Sequence, residues 1–175
     1  DELSSDNSKN ILIQPIDFAL SEEKDYVQIV EALSGEYSKI DGLVNNAGIL
    51  GEKKSIEQYN YKTWKQVMKV NLDAGFLLTK HLIPLLRESK SSSVIFTSSG
   101  VGKVGRPYWG SYSVSKFATE GLMQILSEEL QNTSSIRVNC INPGAVRTKM
   151  RKSAYPAENP CLLYTSDAAD DVRSV

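Results

Sequence analysis

Cysteine and histidine are scarce, two and one in a chain of 175 residues. Cys140 and Cys161 lie far apart, so their spacing describes neither a disulfide framework nor a metal site. An excess of charge of either sign is also missing. Lys and Arg number 20 against 21 Asp and Glu, without the basic stripe of a nucleic-acid binder. The richest apolar stretch, Ala74–Leu86, is interrupted by Lys80 and His81 and falls short of the ~20 residues that span a bilayer. No signal peptide or basic targeting segment is visible, and the first residue is Asp1. These absences set the expectation: a cytoplasmic protein in a reducing compartment, with no nucleic-acid, membrane or metal partner. Hydrophobic residues at 41% and charged ones at 23% exclude a wholly disordered chain.

What is present is an alternation. Ile11–Asp17 reads as a buried strand blemished by Pro15. Ser21 reads as the N-cap of a helix, with Tyr26, Val27, Val30, Leu33 and Tyr37 at helical spacing. Gly42–Gly48 is a short strand running into an Asn/Gly turn. Trp64–Glu88 is a long helical pattern carrying Asn71, a mediocre helix residue, in its interior. Ser93–Ser98 is strand-like, and Val101–Gly110 is a Gly/Pro-punctuated loop. Tyr112–Leu130 is helical, with Phe117, Ala118, Gly121, Leu122, Ile125, Leu126 and Leu130 on one face. Ile136–Ile141 is a further strand, ended by Asn142-Pro143-Gly144. This βαβ order predicts an α/β fold with a parallel sheet, whose ligands sit beyond the carboxyl ends of the strands.

Tyr112 and Lys116 stand four apart at the start of a helix, on one face. A free tyrosine titrates near pH 10. A lysine cation nearby favours the phenolate and makes the group a usable acid or base. Around the pair lie Asn45-Asn46-Ala47-Gly48 after the second strand, Asn71 in the intervening helix, Ser99 thirteen residues before Tyr112, and Pro143-Gly144 with Thr148 after the fourth strand. In this order the elements resemble the short-chain dehydrogenase/reductase family over roughly residues 11–160. The stretches from Ser98 to Leu130 and from Arg137 to Pro160 are similar to a bacterial group of uncharacterised oxidoreductases, the YciK-like proteins.

The resemblance implies a Rossmann-type doubly wound parallel sheet and a role for each matched position. Tyr112 would pass a proton to or from the substrate oxygen. Lys116 would bind the nicotinamide ribose and depress the tyrosine pKa, and Ser99 would hydrogen-bond the substrate oxygen. Asn71 would hold a water linking Lys116 to solvent. Asn45, Ala47 and Gly48 would line the adenosine-ribose side, and Asp17 would face the adenine. Val146 and Thr148, beyond Pro143-Gly144, would contact the carboxamide and phosphate side. The implied cofactor is NAD or NADP, with NADP favoured by resemblance alone. The implied partners are a small alcohol or carbonyl substrate and further copies of the chain, paired through the two long helices.

Other signals read as bland. Gly100, Gly102 and Gly105 spell G-x-G-x-x-G, but after the wrong strand and before a loop, so they are expected to form a rim of the substrate cleft. His81 reads as a surface or interface residue, Cys140 as a small hydrophobe, and Asn132-Thr133-Ser134 as a sequon without meaning in the cytoplasm. Trp109 is expected to shape the substrate pocket and Trp64 to pack in the core.

The family's phosphate-binding glycine turn, TG-x-x-x-G-x-G, is absent. In the family order 3-2-1-4-5-6-7 the chain would supply strands 3 to 6, a truncated sheet with a gap of about 14 Å between strands 3 and 4. Residues 1–160 are expected to be a partial domain. The tail 161–175 is expected to be non-native, since Cys161–Asp170 matches the in-frame translation of a transposase sequencing adapter. The full-length parent is expected to move a hydride between NAD(P)(H) and an alcohol/carbonyl pair, and the fragment itself to bind little cofactor and turn nothing over. The rivals are a 3-oxoacyl carrier-protein reductase with the same tetrad and a non-catalytic dinucleotide-binding regulator on the same fold.

Overall fold

A computed structural model of the chain describes residues 12–159 and Leu163. Three parallel strands, β1 (Gly42–Asn45), β2 (Ser92–Thr97) and β3 (Ile136–Ile141), lie side by side in chain order. Gly42 stands opposite Ser93, and Ser92 opposite Ile136. Helix α1 (Glu23–Glu36) precedes β1. Helices α2 (Tyr61–Met68) and α3 (Ala74–Arg87) connect β1 to β2, α4 (Gly110–Leu130) connects β2 to β3, and α5 (Lys149–Ala154) follows β3. The α/β alternation with a parallel sheet is as the sequence pattern predicts.

The core forms where the helices cover the sheet. Val94 and Phe96 of β2 and Ile136 and Val138 of β3 pack against Leu82 and Leu86 of α3 and Leu130 of α4. Each such side chain contributes about 1.5–3 kcal/mol on full burial. Among the described residues no helix is long and apolar enough to cross a membrane.

One expected strand does not form. Ile11 lies outside the described residues, and residues 12–17 run without ladder pairing into a turn at residues 18–20. A strand needs a neighbour to satisfy its backbone groups. In the family order the neighbour of strand 3 is strand 2, which the matched motifs do not include. Among the described residues the sheet therefore has three strands rather than four, and the expected gap does not arise. Helix α1 also begins later than expected. Its N-cap is Glu22, whose N–H donates to the Asp25 carboxylate at 2.7 Å. Ser21 instead donates its hydroxyl to the Asp17 carbonyl at 2.6 Å.

The long helical pattern from residue 61 to residue 87 is interrupted by a π-turn at Lys69–Asp73. Such a one-turn bulge rotates a residue off the regular helical register, and here that residue is Asn71. Helix α4 differs in part from its predicted face. Phe117 and Ile125 are exposed, while Ser111, Ser115, Lys116 and Thr119 are buried. The second half of the helix keeps the predicted face, with Leu122, Leu126 and Leu130 packed into the core, whereas the interior of the first half is polar because it borders the site. The tail 161–175 lies outside the described residues, Leu163 excepted.

Candidate active site

Three turns meet beyond the carboxyl ends of the strands: Asn45–Gly48 after β1, Ser98-Ser99 after β2 and Asn142–Gly144 after β3. The first turn of α4 closes the group. Tyr112 and Lys116 project from it one turn apart, at 9% and 4% exposure. Lys116 Nζ donates to the Thr97 carbonyl at 2.6 Å and stands 5.7 Å from the centre of the Tyr112 ring. Asn71 Oδ1 accepts the Ile49 N–H at 2.8 Å. Its Nδ2 donates to the Ile49 carbonyl and to Ser115 Oγ, both at 3.0 Å. Gly48 lies between the two side chains: a Cβ there would stand 3.6 Å from Asn71 Oδ1 and 3.8 Å from Lys116 Nζ.

Burial sets the electrostatics. It pushes the Tyr112 phenol above its ordinary range, against the hydrogen bond from Ser99 that pulls it down. It pushes the Lys116 ammonium below its ordinary range. Both groups are desolvated toward their neutral forms, and the lysine spends its shortest hydrogen bond on Thr97.

Two cavities flank Lys116. The larger, of about 350 Å³, takes in Gly48, Ser99, Tyr112, Pro143, Gly144, Val146 and Thr148. The smaller, of about 150 Å³, lies under β1 and takes in Asn45, Ala47 and Asn71. Lys116 lines both. Asp17 is not brought to either one. It is exposed, and its carboxylate accepts the Ala19 N–H at 2.8 Å; the neighbouring Phe18 reaches the smaller cavity instead.

A family model described as short chain dehydrogenase matches residues 1–159. The chain belongs to the short chain dehydrogenase family. It is 49% identical over 138 residues to an uncharacterized oxidoreductase, YciK, of Escherichia coli K12, covering 79% of this chain and 54% of that protein. A short chain dehydrogenase from Pseudomonas syringae superposes with a TM-score of 0.90 at 43% identity, covering 94% of this chain and 66% of its own. One from Escherichia coli CFT073, complexed with NADPH, superposes with a TM-score of 0.89 at 41% identity, covering 94% of this chain and 68% of its own. The chain thus spans about half the length of the curated relative and about two thirds of the solved ones.

Several residues of this short chain dehydrogenase site were not legible as such. Gly102, read as rim, is buried under α4: a Cβ would meet Lys116 Cβ at 2.8 Å. Tyr59 Oη pairs with Ser111 Oγ at 2.7 Å and accepts the Glu52 N–H at 3.1 Å, so it ties the loop after β1 to the start of α4. Gly51 and Gly110, both at positive φ, leave room for the Tyr59 ring. Trp109 lines the larger cavity as expected, and Met150, Arg151, Ala154 and Tyr155 of the α5 region join it. Trp64 is half-buried, edge-on to Tyr59. His81 Nε2 lies 3.0 Å from Glu23 Oε1, joining α3 to α1. Cys140 is half-buried, its thiol pushed up to about 11 by burial, which suits a small packing residue.

Proposed function

We propose that this chain supplies the catalytic portion of an NAD(P)(H)-dependent oxidoreductase that interconverts an alcohol and a ketone or aldehyde. The observation that carries the reading is the buried Tyr112–Lys116 pair one helical turn apart, with Ser99 on the same cavity of about 350 Å³. A dinucleotide, when bound, supplies or accepts the hydride.

The residues present fit such a group. Asn45 Oδ1 and Ser98 Oγ are buried without a hydrogen-bond partner, one at each cavity. Buried polar atoms in this state call for a polar ligand or water. Gly48, with only Asn71 and Lys116 facing it, leaves the backbone open to close approach. Lys116 has three donors, and only its bond to Thr97 is taken up, so two remain for ribose hydroxyls. Tyr112 gives its proton to the developing alkoxide in reduction and takes it back in oxidation, while Ser99 donates a hydrogen bond to the same oxygen. Both Asn71 amide hydrogens are engaged by protein, so a water relaying protons to Lys116 would be held through Oδ1. The NADPH-bound Escherichia coli relative favours the phosphorylated dinucleotide. A homo-oligomer is part of the same reading, supported by the exposed Phe76 of α3 and Val114, Phe117 and Ile125 of α4.

The test is Tyr112→Phe in the full-length protein, assayed against a panel of carbonyls. Turnover should fall by about 10²–10⁴-fold, while dinucleotide affinity, measured by fluorescence titration, is largely kept. Unchanged turnover discards the assignment.

A further inference from the structure

Resting on the reductase reading above, we propose that the site takes a carbonyl flanked by an aryl or similarly flat, uncharged group, and that Trp109 selects it. The wall beside Tyr112 is a row of rings. Trp109 stands between Tyr112 and Tyr155, with centroids 5.7 and 5.6 Å away and planes inclined by 47° and 50°. Leu50, Met150 and Ala154 pack around the same cluster. A flat apolar substituent on the carbonyl carbon would lie against this wall while its oxygen meets the phenol.

The cations nearby are already engaged. Lys53 Nζ donates to the Ala154 carbonyl at 2.9 Å and stands 4.4 Å over the Trp109 ring and 5.0 Å over Tyr155. Arg151 makes two bonds to the Glu158 carboxylate, at 2.7 and 2.5 Å, and lies 4.0 Å over Tyr155. Glu158 balances the Arg151 charge, and Lys53 keeps its charge but lies over the rings and is not among the residues that line the cavity. A carboxylate next to the reacting carbonyl would face the electron-rich ring of Trp109, and with Arg151 paired to Glu158 and Lys116 taken by the ribose no other cation among the described residues lines the cavity to replace its lost water. In the reductive direction the carbonyl carbon accepts a hydride from the reduced dinucleotide, the C=O π bond opens, and its oxygen takes the Tyr112 proton. The carbonyl becomes an alcohol and the dinucleotide is oxidised.

The experiment compares 1-phenyl-1,2-propanedione, phenylglyoxylate and 2,3-butanedione as substrates of the full-length protein. The first two differ by acetyl against carboxylate, and the first and third by phenyl against methyl. We expect kcat/KM for the phenyl diketone to exceed each of the others by at least about tenfold. Trp109→Ala and Tyr155→Ala should each lower the phenyl-to-methyl ratio several-fold. The ratio is internal to each variant, so a loss of folded protein, which scales both substrates alike, does not imitate it. Calorimetric titration with the alcohol 1-phenylethanol and its carboxylate counterpart mandelate gives a readout free of turnover, and the alcohol should bind the tighter. Equal or better use of phenylglyoxylate, with Arg151 released from Glu158, overturns the uncharged substrate class. Equal use of butanedione overturns the aryl preference, and both results leave the reductase reading intact. Absence of Tyr112-dependent turnover on all three, with no binding of 1-phenylethanol, overturns both.

Discussion

Ser99 and Tyr112 form the smallest unit of the proposed reaction. Burial raises the Tyr112 pKa and the Ser99 hydrogen bond opposes it. A raised pKa means that the folded state favours the neutral phenol. That contribution is fully present below the ordinary tyrosine value near 10 and is lost as pH rises through the higher folded value. Carbonyl reduction uses the protonated phenol and alcohol oxidation the phenolate. Ser99→Ala removes the one opposing influence, so the ascending limb of kcat/KM for alcohol oxidation should move to higher pH, along with a fall in rate. A pH–rate profile of the full-length protein checks this, and a shift to lower pH contradicts it. At this scale the candidate residues were named from the resemblance rather than from spacing, and the structure brings Ser99, Tyr112 and Lys116 to one cavity and Asn71 to the one beside it. Asp17 reaches neither. Its assignment depended on a strand that does not form, and the carboxylate turns back to the Ala19 N–H instead.

Element-scale features were only partly legible. Helical period located α3 and α4 but not the π-turn at Lys69–Asp73, because no side-chain period signals a one-residue bulge. The same period was right for Leu122, Leu126 and Leu130 of α4, which pack into the core, but not for Phe117 and Ile125, which are exposed while Ser111, Ser115 and Lys116 are buried. The packing of Gly102 against the buried side was hidden within a motif associated with phosphate binding. Gly102→Ala would bring a Cβ to 2.8 Å from Lys116 Cβ and 3.0 Å from its carbonyl carbon. Since the backbone of α4 must then shift, we expect a loss of about 1–3 kcal/mol of stability and weaker dinucleotide binding through a displaced Lys116. Gly105, with nothing within 4 Å, serves as the control, and Gly105→Ala should change neither. Urea denaturation with a dinucleotide titration distinguishes the two. Tyr59→Phe belongs to the same scale. It removes the hydroxyl that meets Ser111 and the Glu52 N–H, leaving the buried Ser111 unpaired there, at a cost of about 1–3 kcal/mol. The denaturation midpoint should fall accordingly, and an unchanged midpoint rules out the tether.

For the whole molecule, the sheet decides behaviour. β2 is paired on both edges, whereas among the described residues β1 and β3 each pair only with β2. Val44 on β1 is 61% exposed, and Leu12 and Ile13 before it are exposed as well. An unpaired strand edge with exposed apolar side chains is a template for another chain. The sequence pattern could place the strands in order but not say that both outer edges stay unpaired among the described residues, nor that β1 carries the more exposed apolar side chain, Val44 at 61% against Ile141 of β3 at 46%. The 175-residue chain is therefore expected to self-associate through β1, with an apparent mass in light scattering that climbs with concentration. Val44→Lys should suppress the climb, because a cation on the open strand repels its own copy. Val114→Lys, a charge of the same size on the exposed side of α4, tests the alternative route through the helices. If Val44→Lys leaves association unchanged while Val114→Lys abolishes it, the helical face and not the strand edge is the contact.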